Sequence, residues 1–339
     1  MINRPTLADG KHPRWVVITG GCGYVGSHVA SALRNQTDLK ILLIDNRANS
    51  LPHTHANADE ILDVDFSSSS ALAAITKTDP CAVIHCAASS LVTPSVTNPM
   101  RYYENNVVKM KVLLDHLSSC KTKNIVFSSS SSVYGDGDGC TPINETSNLE
   151  PISPYGTTKL IGEMMLNDYH AAYGINCISF RYFNAVGADP KALIGQEPGA
   201  THLIARIMES LLSNSEFSVY GADYPTPDGT CIRDYVHVSD IARAHVAGMN
   251  LLLNKGGKHT YNIGSGCGYS VLEIVSAVER VTGQKVKLKI DKRRPGDPAW
   301  RIADTGKLNE LGWSAEYDLD YIVRDAYRWY NSNTFKSMR

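Results

Sequence analysis

The chain has 339 residues, 43% of them hydrophobic and 20% charged, with a formal net charge of −1. This is the composition of an ordinary globular protein, long enough for a large core and about two domains. The near-neutral charge excludes a chain that relies on a long-range field to bind nucleic acid or an anionic membrane, and no apolar run approaches the ~20 residues that span a bilayer.

Residues 1–14 read as a loose polar leader without the apolar segment of a signal peptide, so a cytoplasmic location is the default expectation. Eight cysteines are scattered without paired spacing, and Cys81, Cys86 and Cys177 sit inside apolar runs. Buried free thiols in a reducing compartment account for them better than disulfides or zinc. The eleven histidines form no clustered ligand set, and no metal site is expected.

Residues 15–19 are an apolar run of strand length, followed by Gly20-Gly21-Cys22-Gly23-Tyr24-Val25-Gly26 and a helical pattern through Val29, Ala30 and Leu33. Strand, glycine loop and helix in this order are the context that a dinucleotide fingerprint requires. Glycines permit the tight turn and let backbone amides approach a pyrophosphate, which the helix N-terminus also attracts. A second strand, 40–44, ends at Asp45, where an acid binds the hydroxyls of an adenosine ribose. Its charge would repel a 2′-phosphate, which favours NAD over NADP; Arg47 argues the other way.

The alternation continues. Residues 60–66 read as a strand ending in Asp65 and Phe66, the expected adenine contacts. A buried strand over 81–85 runs into Cys86, Ala87 and Ala88, small enough for close approach of a cofactor. Residues 105–117 form an amphipathic helix, and 123–127 a strand that breaks into the serine run 128–132 and Val133-Tyr134-Gly135. Ser153 and Pro154 suit the cap and first position of a helix whose apolar residues recur until Gly174. Tyr155 and Lys159 lie one turn apart on its face. A free phenol has a pKa of about 10, and a neighbouring ammonium favours the phenolate, so Lys159 can activate Tyr155. Taken alone, such a pair is more often a helix contact of no consequence. A strand over 175–180 follows.

Strands alternating with helices predict an α/β fold with a doubly wound parallel sheet, helices on both faces, and ligands beyond the carboxyl ends of the strands. The serine run and Tyr155 both fall at that edge and share one expected site. From about Arg181 the pattern changes, which divides the chain into a dinucleotide-binding Rossmann unit, 1–187, and a smaller α/β substrate unit, 188–339. In the second unit, helices are expected over 202–212, 239–253, 271–281 (capped by Ser270) and 318–330, with strands over 217–220, 260–263 and 286–290.

The three glycines, the strand-end serine and Tyr155-xxx-Lys159 together resemble the extended short-chain dehydrogenase/reductase family. Within it, Gly23-Tyr24-Val25-Gly26-Ser27-His28, the run from Asp45 to Ser50, Ser128-Ser129-Ser130, Arg181-Tyr182-Phe183-Asn184, Arg233-Asp234-Tyr235-Val236-His237 and Arg294-Pro295-Gly296-Asp297 are similar to the UDP-glucose 4-epimerases. The likeness runs in order from Trp15 to Tyr330. It implies an NAD-dependent interconversion of UDP-glucose and UDP-galactose, or of close analogues, through a transient 4-keto sugar. It assigns catalysis to Tyr155, Lys159 and Ser130: Tyr155 takes the proton of the sugar 4-hydroxyl, Ser130 shares in the shuttle, and Lys159 holds the nicotinamide ribose and, together with the cationic nicotinamide ring, keeps the phenol easy to deprotonate.

The resemblance adds Asn46, Asn49, Ser50, Asn106, Ser128 and Tyr182 to the cofactor site, with Ser90 near the nicotinamide ribose, and includes Tyr24 and Val25 of the glycine loop. It places the substrate diphosphate against Arg233 and Arg294, with Asp297 on a ribose hydroxyl. Asn184 and Leu203 match positions at the phosphate and uracil, Tyr220 lies on the strand that borders the uracil pocket, Arg301 limits the pocket, and Phe183, His202 and Val219 are further substrate-binding residues. It also implies a homodimer through helices near 105–117 and 155–173.

Three positions depart from the family pattern. Ser90 stands where some members have lysine, His202 where some have asparagine. Arg301 occupies the position that limits pocket size, in place of a bulky tyrosine or a small cysteine or serine. Nucleotide-sugar 4,6-dehydratases and UDP-glucuronate decarboxylases place a carboxylic acid just before Val-Tyr-Gly, where this chain has Ser131 and Ser132. That argues against both. Epimerases of UDP-xylose/arabinose, UDP-GlcNAc or UDP-glucuronate stay open. A non-catalytic NAD-binding regulator is the alternative of another class, and the intact Ser130, Tyr155 and Lys159 speak against it.

Overall fold

The computed structural model describes residues 14–48, 57–135, 141–294 and 297–339. Most of the polar leader, and the expected cofactor contacts Asn49 and Ser50, lie outside the described residues. The first elements are β1 (Trp15–Thr19), α1 (Tyr24–Gln36), β2 (Lys40–Ile44), β3 (Glu60–Leu62), α2 (Ser69–Thr78) and β4 (Ala82–His85). Then come α3 (Val92–Thr97), α4 (Pro99–Tyr103), a π-turn (Glu104–Val108) and α5 (Lys109–Ser119). β5 (Asn124–Ser130) ends in a 3-10 turn (Ser131–Tyr134), and α6 (Pro154–Tyr173) leads to β6 (Asn176–Tyr182).

The second half holds β7 (Asn184–Val186), α7 (Leu203–Ser213), β8 (Phe217–Tyr220), β9 (Ile232–His237), α8 (Val238–Lys255) and β10 (Lys258–Ile263). It continues with β11 (Gly268–Ser270), α9 (Val271–Thr282), β12 (Leu288–Asp291), β13 (Trp300–Arg301), α10 (Gly306–Asn309), α11 (Leu319–Asn331) and α12 (Asn333–Ser337).

Seven strands form one parallel sheet in the order β10-β6-β5-β4-β1-β2-β3. Its central strands are buried on both faces, which explains their continuous apolar runs. One face packs α1 and α8 around Val29, Leu33, Ile241 and Met249; the other packs α2, α5 and α6 around Ile75, Leu113, Phe127 and Leu166. The doubly wound sheet is therefore the one anticipated.

The division at residue 187 does not follow it. Strand β10 pairs in parallel with β6 from Lys258↔Cys177 to Ile263↔Tyr182, and α8 lies on the sheet beside α1. The chain leaves the sheet after β6, builds β7 against β9, and returns through α8 to add a seventh strand. The second core, around Phe217, Ile274, Trp329 and Phe335, is thus made from two separated stretches.

Two expected elements differ for local reasons. The strand foreseen over 60–66 stops at Leu62, because the Asp65 carboxylate accepts the Ser67 amide and hydroxyl and closes a turn. The helix foreseen over 105–117 begins at Pro99 and carries the π-turn, which sets Asn106 apart from the regular helical face. The helix bearing Tyr155 starts as read: the Ser153 hydroxyl accepts the Gly156 amide at 3.1 Å, Pro154 stands in the first turn, and Gly174 ends it at φ 68°.

Candidate active site

The glycine loop lies between the carboxyl ends of β1 and β2. Gly20 has φ +69°, and a Cβ there would meet the Ala87 backbone at 2.6 Å. A Cβ on Gly26 would come within 2.2 Å of the Gly20 carbonyl oxygen. These two glycines are needed by the protein itself. Gly23 is not: its Cβ would touch only that oxygen, at 3.4 Å. The space before the first turn of α1, whose leading amides have no intrahelical acceptor, is open. That room fits a group that lies against the backbone, as a pyrophosphate does.

Asp45 is 8% exposed, and both its oxygens are engaged: Oδ2 accepts the Cys22 amide at 3.0 Å and Oδ1 the Arg47 amide at 2.8 Å. The carboxylate is thereby fixed at the end of β2 beside the glycine loop. Asn46 accepts the Ala48 amide at 3.1 Å and is exposed to the same loop. Asp65 pairs with Lys109 at 2.6 Å, and Phe66 is buried edge-on to His85. Cys86, Ala87 and Ala88 are half-buried where β4 ends, and Ser90 is exposed just beyond them. The Asn106 amide is fully engaged, with the Ser89 backbone at 2.8 and 3.0 Å and the Thr158 hydroxyl at 3.0 Å, so it fastens this loop to α6. Val25 is half-buried, and the Tyr24 hydroxyl donates to the Gly187 carbonyl at 2.7 Å, tying α1 to the chain beyond β7. The residues present fit a bound dinucleotide.

Beside this cradle the serine run meets α6. Side chains alternate along β5, so Ser128 reaches His245 on α8 at 3.1 Å while Ser129 reaches Glu163 on α6 at 2.5 Å. Ser130 caps the 3-10 turn through the Ser132 amide and is also hydrogen-bonded to the Tyr155 phenol. Lys159 is 3% exposed; its ammonium donates to the Ser128 carbonyl at 2.7 Å and lies 5.9 Å from the centre of the Tyr155 ring. Tyr182 shares Ser128 as a hydrogen-bond partner and adjoins Tyr155.

Burial pushes the Tyr155 phenol up to about 12, against the hydrogen bond from Ser130, and brings Lys159 down to about 8. Lys159, expected to activate the phenol together with the cationic nicotinamide ring, does not by itself offset this burial. Without a further cation, desolvation of the phenolate outweighs the neighbouring ammonium. In the protein alone Tyr155 keeps its proton.

Under the serine run lies a buried network that the sequence reading missed. Glu163 and Arg181 are 5% and 4% exposed and form an ion pair at 2.6 Å. Arg181 also donates to the Tyr134 hydroxyl at 2.9 Å and to the Glu145 carbonyl, and Tyr134 donates to Asn262 at 2.6 Å. The signal was available: Tyr155, Lys159 and Glu163 are spaced by four and share one face of α6.

A second depression opens between α7, β8 and β9, lined by Leu203, Val219, Tyr220, Arg294 and Asp297 of the expected residues. The Arg294 guanidinium lies 3.8 Å over the Tyr220 ring, and Arg233 pairs with Asp297 at 2.6 Å. Thr201, Arg206 and Cys231 also line it and were not anticipated. His202 precedes α7 at its N-cap, and Asn184 donates to the Asp234 carbonyl at 2.8 Å. Phe183 is buried in a small core with Val133, Tyr134, Ile143 and Ala303. Arg301 sits beside Arg233 in the β13–β9 register, and its guanidinium donates to the Gly135 carbonyl. Asp234, fully buried, accepts the Ser265, Gly266 and Ala303 amides and so holds this arginine platform together.

Comparison with known proteins agrees with this geometry. A model of the NAD dependent epimerase/dehydratase family matches residues 16–264. The UDP-glucose 4-epimerase of Azospirillum brasilense is 41% identical over 322 residues, covering 94% of this chain and 92% of that protein. The bifunctional UDP-glucose 4-epimerase and UDP-xylose 4-epimerase 3 of Arabidopsis thaliana is 38% identical, covering 94% and 95%. Among solved structures, UDP-glucose 4-epimerase from Brucella ovis in complex with NAD superposes with a TM-score of 0.89 at 41% identity, over 94% of this chain and 98% of that one. The Stenotrophomonas maltophila enzyme with bound NAD and formylated UDP-arabinopyranose gives 0.89 at 37% identity, with the same coverage.

Proposed function

The chain belongs to the NAD dependent epimerase/dehydratase family, and on that footing we propose that it is an NAD-dependent 4-epimerase that interconverts UDP-glucose and UDP-galactose. The observation that carries this reading is the meeting of Ser130, Tyr155 and Lys159 beside an open glycine cradle. A binder of the cofactor alone needs the cradle and not the three.

Gly20, Gly23 and Gly26 would hold the pyrophosphate, Asp45 the adenosine ribose, and Lys159 the nicotinamide ribose. The chemistry that bound NAD supplies is reversible removal of hydride from C4 of the sugar. Tyr155 carries the proton of the 4-oxygen during that change, and Ser130, its hydrogen-bond partner, gives the proton a second place to rest. Arg233 and Arg294 supply forked cationic donors for the two phosphates, and the Tyr220 ring beneath Arg294 offers a flat wall for the uracil. Asp297 steadies Arg233 and can accept a ribose hydroxyl. A 4-keto sugar held mainly through its nucleotide would be free to turn over and present either face to the cofactor site.

Purified protein incubated separately with UDP-glucose, UDP-GlcNAc, UDP-xylose and UDP-glucuronate, with 4-epimers resolved by chromatography, tests the reading. Conversion of UDP-glucose to UDP-galactose supports it; conversion of none sinks it. The pattern among the four reports what the Arg301 wall admits.

A homodimer through α3–α6 also forms part of the reading. It is supported by a run of exposed apolar side chains, Val96, Met100, Val108 and Val112 along α3–α5 and Met164 and Tyr173 on α6. Sedimentation of the wild type and of Met100→Glu tests it: a dimer that the charge splits is expected, and a wild-type monomer contradicts it. Cytoplasmic residence is supported by the free thiols of Cys81 and Cys177. Among the described residues no helix is long and apolar enough to cross a membrane.

A further inference from the structure

The adenosine end of the cradle contains a cation that the proposed chemistry does not use. Arg47 follows Asp45 by two residues and has φ 61°, a left-handed conformation uncommon for a residue with a Cβ. Its backbone amide donates to Asp45 Oδ1 at 2.8 Å, which folds the loop back over that carboxylate. The guanidinium donates through Nε to Asp63 Oδ1 at 2.6 Å. Its Nη donors have no hydrogen-bond partner among the described residues, so one of five N–H groups is engaged and four are available. The Asp63 side chain is 61% exposed, and a surface pair of this kind is weak enough to yield to a phosphate.

A carboxylate at the end of this strand binds the 2′-hydroxyl of the adenosine ribose, whereas an arginine nearby accommodates a 2′-phosphate. This chain has both within three residues. We infer that Arg47 is a cofactor-specificity residue: it gives the adenosine-ribose site a ready phosphate clamp, so that the Asp45 charge alone keeps the protein on NAD. With that charge removed, the site takes the 2′-phosphorylated dinucleotide through Arg47. The inference rests on the reading of the chain as an NAD-dependent enzyme. The competing account is that Arg47 only pairs with Asp63 to order the loop.

The test compares the wild type, Asp45→Asn, Arg47→Gln and the double variant. Each is incubated with equal concentrations of NAD and NADP until the bound composition is constant, freed of unbound nucleotide and extracted, and the bound pair is separated by chromatography. Asp45→Asn is expected to move the NADP:NAD ratio toward NADP by at least about tenfold, as loss of a charge repulsion and gain of a charged hydrogen bond imply. Adding Arg47→Gln should abolish that gain. An equal gain with and without Arg47, or no gain, overturns the inference. Should Asp45→Asn fail to fold, Asp45→Ser serves instead. Asp45→Ser likewise removes the charge, and the ratio should rise over the wild type and fall back when Arg47→Gln is added; a flat series overturns the inference. A wild type that holds neither dinucleotide contradicts the NAD-dependent reading itself and is told apart by that result.

Discussion

The Lys159 ammonium lies 5.9 Å from the centre of the Tyr155 ring, yet its hydrogen bond goes to the Ser128 carbonyl at 2.7 Å. The charge is held beside the phenol by the backbone of β5 rather than by the phenol. Burial lowers Lys159 to about 8, against about 10.4 in an unfolded chain. Between those values the unfolded state binds more protons, so this group's contribution to stability rises with pH across that window. Below pH 8 both states are protonated and the full cost of burying the ammonium, up to about 3 kcal/mol, is present. Lys159→Met should therefore be more stable than the wild type below pH 8, with the difference shrinking toward pH 10.4. Urea midpoints measured against pH check this; a difference independent of pH contradicts it.

The glycines of the cradle should separate into two kinds. Gly26→Ala places a methyl 2.2 Å from the Gly20 carbonyl and should lower the melting temperature as well as cofactor content. Gly23→Ala meets nothing closer than 3.4 Å and should leave the melting temperature of cofactor-free protein within a few degrees of wild type while abolishing bound NAD. Equal damage to folding by both would mean that Gly23 serves packing.

Loss of Arg181 should be costly far from any substrate. Removing one partner of a buried pair strands the other, at about 3–5 kcal/mol. Arg181→Met leaves the Glu163 carboxylate without its cation and Tyr134 without its donor. Denaturant unfolding should show a loss of that size, with activity falling as well, because Ser129 lies between the Lys159 acceptor and Ser130 in β5. A loss under about 1 kcal/mol would place the pair among those that surface water already screens.

Arg233 and Arg294 should act on binding rather than on the bond changes at C4. Replacing either by Met removes charged hydrogen bonds to a diphosphate, about 1.5–3 kcal/mol, and should weaken UDP affinity about tenfold or more. Calorimetric titration with UDP reads this directly. An unchanged affinity would leave both arginines as partners of Asp297 and Tyr220 only.

The parallel sheet was legible because its strands are buried on both faces and each is followed by a helical period. The cradle was legible because glycine needs and the acid at the end of β2 are local to about thirty residues of a βαβ unit. What escaped was non-local. Nothing near Lys258 announces that the chain returns to pair with β6, since an edge strand added late has the same apolar pattern as one in a separate sheet. The Arg181–Glu163 pair went unread because burial of an ion pair is decided by partners from β6 and α6 together. The upward push of burial on the Tyr155 phenol was also not legible, because it depends on how the whole site packs.

The most direct measurement is the rate at which UDP-glucose becomes UDP-galactose with the wild type and with Tyr155→Phe, which keeps the ring and removes the hydroxyl hydrogen-bonded to Ser130. The account predicts conversion by the wild type and a rate lower by about 10²–10⁴-fold in the variant, the usual weight of a positioned acid–base group, with UDP affinity unchanged. Equal rates in the two proteins would contradict it.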